Sequence, residues 1–482
     1  MTHPGPAACA PGARTVDEHR AEVAELLAPS LGRAASDAPE VLEMRDPAIL
    51  GRVTADAARA AIPLPPFDNS QMDGYAVLAS DLAGARPDRP TALPLGPTTA
   101  AGDAPLEHRP GTASPVMTGA AIPRGADAVV PVEATLPPQF PRLRRAGELE
   151  DGADADLGST GFAGPVAAGA FVRRRGSDLP EGAEIVAVGT RLTPARIGAL
   201  ASAGVVGIAV RRRVKVLLCS TGDELAGDAQ ASGEPASGEP AGDAQALRPG
   251  RIHDANGPML AAALRGAGAE VHSVRTGDGA AEMLTALARE GAWADVVVTS
   301  GGISAGAYEV VRDALGDRGV GFHRLAMQPG GPQGLGVLRL DGTGAHEGDA
   351  HDGVLGERGE QGERGEQGER GERGTPILCF PGNPVSAMLS AELFLLPLLR
   401  AYAGLPAERP REERLLAHDA DSPADKLQLR RGTIADDGRI VLSGPSSHLL
   451  AGLASAEVIA EIPVGVASIP ENTPVTVWSI DD

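Results

Sequence analysis

Several short segments place hydroxyl, glycine and carboxylate residues at the ends of apolar runs that read as strands. "CSTGDEL" runs into Ser220, Thr221, Gly222, Asp223 and Glu224, and "RIHDANGP" sets Asp254 and Asn256 before a helix. "VVVTSGGISAGAYEVV" carries Ser300, Gly301, Gly302, Ser304, Gly306 and Glu309 between a β-branched run and an amphipathic one. "CFPGNPVS" makes a rigid turn of Pro381, Gly382, Asn383, Pro384 and Ser386. Strand–glycine–helix turns hold anions through backbone amides and the helix N-terminus. No P-loop lysine is present, and Lys215 and Lys426 are the only lysines. Helix capping accounts equally well for Ser220 to Glu224 or for Asp254 and Asn256 taken singly, and His253 alone is no metal set. A tight turn needs the glycines at Gly301 and Gly302 but not the two serines beside them. Three such turns converging on one sheet edge make a site for a polyanion.

Two further segments lie outside that group. In "PLPPFDNSQMDGYAV", Pro65 and Pro66 stiffen the chain while Asp68, Asn69, Ser70 and Asp73 crowd between Phe67 and Tyr75. A turn with Asx-type bonds explains two of these polar residues, not all four. "VMTGAAIPRGADAVV" ends an apparent β piece with Thr118 and Gly119 in a turn.

The elements that position these residues follow from periodicity. Beyond Arg213, "VKVLLCS", "AEVHSVR", "ADVVVTS", "VGFHRLA" and "PILCFPGNP" read as strands. Between and after them, helices are expected at Asn256 to Arg265, Ala280 to Glu290, Tyr308 to Leu315 and Ser386 to Ala401. This alternation predicts a doubly wound, mostly parallel α/β sheet with ligands at the C-terminal strand ends. Nearer the N-terminus, Thr15 and Glu18 have capping-box spacing, and Val16, Val23, Leu26 and Leu27 share a helical stripe. "TPARIGALASAG" reads as a helix with Thr193 as N-cap, Pro194 in its first turn and Gly204 as its stop. Short apolar pieces between Gly/Pro turns from Pro63 to Pro141 predict a small β domain, and "IVLSG", "EVIAEIP" and "PVTVWSI" predict another at the C-terminus.

A chain of 482 residues accommodates several domains, and with aromatics at 2% their cores rest on Ala, Val, Leu and Ile. The net charge of −21 falls mainly in three acidic stretches, 148–156, 226–246 and 341–374, which read as linkers. Glycine recurs at every third position from Gly356 to Gly374, but without proline this reads as a charged, disordered extension rather than a collagen helix. The remainder carries a net charge near −6, which argues against nucleic acid. Cys9, Cys219 and Cys379 are odd in number and far apart, which fits a reducing compartment. With no hydrophobic signal core and no apolar run near membrane-spanning length, the expectation is a soluble, cytoplasmic protein.

"PPFDNSQMDGYAV", "VMTGAAIPRGADAVV", "STGDEL", "TSGGISAGAYEVV" and "FPGNPVSAML", in this order, resemble the MoeA/gephyrin-E family, the molybdopterin molybdenumtransferases, over roughly Val16 to Ile480. The resemblance implies a multidomain α/β chain. Its parts are a disordered 1–14, an elongated helical domain of 15–62 and 166–210, and an inserted β domain of 63–165. A doubly wound molybdopterin-binding α/β domain of 211–402 follows, with disordered insertions at 226–247 and 341–374, then a C-terminal β domain of 403–482. It also implies a homodimer whose active site lies between subunits. The implied reaction inserts molybdate into the dithiolene of adenylylated molybdopterin with Mg2+ and releases AMP. On this resemblance Asp68, Thr118, Glu224 and Glu309 are catalytic, and Asp254, Glu224 and Glu309 hold Mg2+. Substrate falls to Asn69, Ser70, Asp73, Ser220, Thr221, Gly222, Ser300, Gly301, Gly302, Ser304, Gly306, Pro381, Gly382, Asn383, Pro384 and Ser386.

The upstream adenylyltransferase and molybdoenzyme-specific factors are expected partners; nucleic acid and membrane are not. Two positions depart from the family pattern. Glu309 stands where aspartate is frequent, and Gln328 to Pro332 replaces a "KPGKP" segment, so that Arg324 or Arg339 must substitute or anion affinity is weaker. Two alternatives come from other classes. A molybdopterin adenylyltransferase would share the α/β domain but lack the Asp68 segment, and a non-catalytic gephyrin-like scaffold would tolerate loss of the site residues.

Overall fold

The computed structural model describes residues 12–141, 143–144, 157–223, 225, 250–303, 310–339 and 374–480. Both expected insertions, together with Glu224, Ser304, Gly306 and Glu309, lie outside the described residues, except for Gly374 at the end of the second insertion. The chain divides into two units, Met1–Glu40 with Gly51–Val53 and Arg211–Asp482, and Val41–Leu50 with Thr54–Val210.

The larger unit is built on a six-stranded sheet. Helix α1 (Val16–Ser36) begins with the expected capping box, Thr15 accepting from the Glu18 amide and Glu18 from that of Thr15. Then come β1 (Lys215–Thr221), α2 (Asn256–Gly266), β2 (Glu270–Thr276), α3 (Ala280–Glu290) and β3 (Val296–Ser300). Next are α4 (Val310–Leu315), β4 (Val320–Arg324), β5 (Pro332–Leu338) and β6 (Thr375–Phe380). The strand order is β2–β1–β3–β6–β5–β4. The first four strands run parallel, and β5 is antiparallel to both β6 and β4.

Alternate residues of β1 and β3 supply two separate cores, as the period of two requires for a sheet covered on both faces. Val216, Leu218, Val296 and Val298 pack with Val23 and Leu27 of α1 and Leu260 of α2. Leu217, Cys219 and Val297 pack with Met283 and Leu287 of α3 and Val311 of α4. Arg212 anchors the end of α1, bonding Asp37 at 2.7 Å and the buried Asp295 at 2.6 and 2.9 Å.

Three features differ from the sequence expectation. Strand β5 was not anticipated, because glycines weaken strand propensity. Gly334 and Gly336 are there because a Cβ on Gly336 would lie 2.2 Å from the Gly319 carbonyl. The run Pro384–Tyr402 is, against expectation, long and apolar enough to cross a membrane, yet about two thirds of it is buried. Its interior Glu392 is paired with Arg400 and Arg409. Third, the spans 15–62 and 166–210 hold one long α-helix, α1, one short one, Pro194–Ser202, and a single 3-10 turn, Pro47–Ile49, with strand pairs rather than further α-helices between them. The C-terminal β region forms a second sheet through Leu427–Ile434, Val458–Ile462, Pro474–Trp478 and Glu412–Leu415, and Met327–Gln328 joins it in parallel.

The smaller unit contains two three-stranded sheets. In one, Gly74–Val77 lies between Ser114–Val116 and Ala128–Pro131. In the other, Ser159–Phe162 lies between Thr91–Pro94 and Thr135–Leu136. Their shared core includes Tyr75, Val77 and Phe162. The short helix Pro194–Ser202 starts at Thr193, whose side chain accepts from the Arg196 amide.

Candidate functional site

A cleft of about 810 Å³ opens in the larger unit at the C-terminal ends of β1, β3 and β6. β1 pairs with β2 on one side and β3 on the other, so its end is the switch point at which open α/β sheets bind ligands. Register brings Ser220 level with Ser300, and Ser300 level with Phe380. Hence Ser220, Thr221, Gly222, Asp254, Ser300, Gly301, Gly302, Pro381, Gly382, Asn383, Pro384 and Ser386 all line one wall or floor of the cleft.

Asn256 ties these strand ends together. Its Nδ2 donates to Ser300 Oγ and to the Gly382 carbonyl, both at 2.7 Å, and its buried Oδ1 has no partner. Because a carbonyl only accepts, the amide orientation is fixed, and the Ser300 hydroxyl proton is left to point elsewhere. Glycine is obligatory at Gly301, with φ +107°; a Cβ there would lie 2.8 Å from Thr221 Oγ1 and 2.9 Å from the Thr221 carbonyl. Not every amide of the cradle is available to a ligand. Gly301 N donates to Phe380 O, Gly222 N to Thr276 O, and Thr221 Oγ1 to the Ser300 carbonyl at 3.4 Å.

Asp254 caps α2, its Oδ1 accepting from the Gly257 amide at 2.9 Å. At Gly257 a Cβ would meet Asp254 Oδ2 at 2.5 Å and Ser220 Oγ at 3.3 Å, so any larger residue would displace the Asp254 carboxylate. Asp223 and Asp278 cap each other's amides at 3.1 and 2.9 Å. Among the described residues no three His, Cys, Asp or Glu side chains stand together as a metal set. Beneath the cleft, Cys219 and Cys379 flank Thr299 in register, and burial pushes their thiols up to about 11 and about 12, which leaves them inert.

The C-terminal β region supplies a wall that the sequence reading did not foresee, made by Pro445, Ser446, Ser447 and His448. His448 Nδ1 lies 3.0 Å from Asn383 Nδ2. The loop is wrapped on Arg431, whose guanidinium donates to the carbonyls of Gly444, Ser446 and Leu449 at 2.7, 2.6 and 2.5 Å. Arg430 donates likewise to the Ser443 carbonyl. Burial lowers the pKa of both arginines, and for Arg430 the charge of Arg431 adds to the effect. Two arginines inside the apolar strand "LQLRRGTI" were the available signal. Neither Arg324 nor Arg339 lines the cleft; Arg339 lines a separate one, so these two do not stand in for the missing lysines. The described lining contains no lysine or arginine at all. Gln328 occupies part of the wall, its Oε1 accepting from Gln428 at 3.4 Å.

The Asp68 segment belongs to the smaller unit. Asp68 accepts from Arg174 Nη1 and from the Arg175 amide, both at 2.7 Å. Partial burial opposes its ionisation, but the Arg175 amide and the Arg174 guanidinium outweigh that and hold the carboxyl below its usual range. Asp73 takes both the amide and the hydroxyl of Thr118, at 2.6 and 2.7 Å, and these bonds lower its pKa. Ser70 is buried and donates to the Met72 carbonyl at 2.5 Å, and the Asn69 amide lies 3.4 Å from the Phe67 carbonyl. The backbone sets Asp68 beside the Thr118 turn, through Gly119 N to Ser70 O and Ile122 N to Asp68 O. Arg174 and Arg175, in "VRRRGSD", went unrecognised in the sequence because their partner lies about a hundred residues away.

Residues 14–204 match the MoeA N-terminal region (domain I and II), and residues 218–401 match the family described as "Probable molybdopterin binding domain". "Molybdopterin molybdenumtransferase 2" of Mycobacterium tuberculosis is 37% identical over 97% of this chain and 100% of its own length. "Molybdopterin molybdenumtransferase" of Synechococcus elongatus is 30% identical over 89% of this chain and 92% of its own. Among solved structures, the molybdopterin biosynthesis MoeA protein of Pyrococcus horikoshii superposes with a TM-score of 0.65 at 25% identity, covering 94% of this chain and 98% of that one.

Proposed function

The chain belongs to the MoeA family, and from that premise we propose that it inserts molybdate into the dithiolene of adenylylated molybdopterin and releases AMP in molybdenum cofactor biosynthesis. The observation that carries the reading is the cleft at the switch point of the β1–β3 sheet, within the region matching a molybdopterin binding domain.

In this reading the hydroxyls of Ser220, Thr221 and Ser300 and the Pro381–Ser386 turn hold the phosphate oxygens of the nucleotide. Asn256 keeps the three strand ends at fixed spacing, so the donors are preorganised rather than recruited. Arg430 and Arg431 place positive charge behind the His448 loop, which favours a bound anion without a lysine in the wall. A Mg2+ ion, when bound, neutralises phosphate charge and polarises the phosphoryl oxygens. Asp254 keeps Oδ2 as a hard oxygen donor for it while Oδ1 caps α2, and Glu224 and Glu309 complete the proposed set. One or two carboxylates plus substrate phosphates suit Mg2+.

Asp68, ionised and clamped by Arg174, orients the group at which the adenylate is cleaved; its lowered pKa makes it a poor proton acceptor near neutral pH. Thr118, fixed by Asp73, acts beside it. We place these roles in a cytoplasmic homodimer in which Asp68 of one subunit and Glu309 of the other serve one reaction. The test is AMP release from adenylylated molybdopterin by the purified chain. Release that depends on molybdate supports the reading; formation of adenylylated molybdopterin from ATP instead, or no turnover at all, refutes it.

A further inference from the structure

The Asp68 segment has two aromatic neighbours that no role above uses. Aromatic residues make up 2% of the chain, and five of the seven phenylalanines are buried or half-buried. The two most exposed, Phe67 at 42% and Phe171 at 41%, both belong to the paired segments that hold Asp68. Phe67 precedes it in the chain. Phe171 opens the stretch that supplies Arg174 and Arg175; its carbonyl accepts from Gln71 N at 2.9 Å, and Val172 stands opposite Ser70.

Phe171 is also strained. Its φ is +55°, and among the described residues the only other non-glycine at positive φ is Asn472. Asparagine tolerates the left-handed region through local side-chain bonding; a phenylalanine has no such compensation. At 41% exposure the ring is only partly buried, so burial offsets only part of that cost. A strained, exposed aromatic in the strand pair that carries a clamped carboxylate points to use rather than packing.

We propose that Phe171, together with Phe67, forms the stacking surface of the Asp68 site for a flat fused heterocycle of the substrate. The inference rests on the reading of the reaction given above. Both the purine and the pterin of adenylylated molybdopterin have this chemistry, a polarisable face that an aromatic ring can cover without reading its edge.

The test compares Phe171→Gly and Phe171→Tyr in the full chain by equilibrium binding of AMP and, separately, of molybdopterin lacking the adenylate. Glycine relieves the backbone, so the unfolding midpoint of Phe171→Gly is expected to hold or rise. Its affinity for one of the two ligands falls about tenfold, the scale of one lost stacking contact, while Phe171→Tyr binds as wild type. Weakened AMP binding assigns the purine to the ring, and weakened molybdopterin binding assigns the pterin. Unchanged affinity for both overturns the proposal. So does a Phe171→Gly chain that keeps both affinities but loses dimerisation or stability, since the ring then packs on a second copy or on its own unit. Binding needs no turnover, so failure of the wild-type chain to release AMP counts against the reaction and leaves this comparison to decide on the ring.

Discussion

Substituting Gly301 by alanine puts one methyl group where the cradle has no room. The added Cβ would sit 2.8 Å from Thr221 Oγ1 and 2.9 Å from the Thr221 carbonyl, and φ of +107° is itself unfavourable for alanine. The backbone contribution is roughly 1–2 kcal/mol and overpacking against a main-chain oxygen adds roughly 1–3, so about 2–5 kcal/mol in all is expected. Relief requires the ends of β1 and β3 to separate, which moves Ser220 and Ser300 relative to one another. A shift of about 1 Å among positioning groups costs turnover on the order of a hundredfold. Both tryptophans, Trp293 and Trp478, lie in the larger unit, so urea unfolding followed by their fluorescence reads the stability of that unit. Gly316→Ala is the control, an exposed glycine with nothing within 4 Å of its Cβ position, expected to change stability by less than about 0.5 kcal/mol. A Gly301→Ala chain as stable as that control, with kcat/KM within twofold of wild type, would show that the close approach of Gly301 to Thr221 does not position the substrate.

Other outcomes follow from the same geometry. Asp254→Asn keeps the acceptor that caps α2 but removes a hard anionic ligand, so folding should be unaffected and turnover lost, with partial recovery at high Mg2+; unfolding of the variant would leave capping as its whole role. Asp68→Ala and Glu309→Ala homodimers should each be nearly inactive. Random mixing makes half the dimers heterodimers with one intact site, so activity should return to about one quarter of wild type; a mixture as inactive as its parents, with heterodimers proven by tag pull-down, contradicts the shared site. Buried His19, stacked edge-on to Phe394, titrates at about 4 because burial, then Arg14 and His323, disfavour its charge. The unfolded chain protonates it near the ordinary value, so stability is full above about pH 6.5 and falls by about 3 kcal/mol as pH drops towards 4. His19→Leu should flatten that slope in urea titrations at pH 7 and 4.5, and an unchanged slope would assign the acid sensitivity elsewhere.

The parts legible from sequence were those in which one local rule decides. Val216 to Cys219 and Val296 to Val298 are continuous apolar runs because both faces of β1 and β3 are buried, and α1 starts at Thr15 because two side chains satisfy its first amides. The Ser220 and Ser300 turns were recognisable for the same reason, as polar residues directly after buried strands. What stayed hidden depends on partners distant in the chain. The Arg174 clamp on Asp68, the His448 contact with Asn383 and the bridge from Asn256 to Gly382 join residues about 65 to 126 positions apart, with no periodicity to announce them. Strand β5 was obscured because Gly334 and Gly336 answer to close neighbours rather than to strand propensity. Arg324, the last residue of β4, and Arg339, just beyond the end of β5, are cationic in sequence but do not line the cleft, whereas the buried Arg430 and Arg431 hold the loop that makes its far wall.

The most direct measurement is a joint count of AMP released and molybdenum retained on the pterin after the purified chain is given adenylylated molybdopterin, molybdate and Mg2+. Molybdate insertion coupled to cleavage predicts the two in equal amounts, with neither appearing when molybdate is omitted. AMP released at the same rate without molybdate, or molybdenum bound with no AMP released, would contradict the coupling on which the account stands.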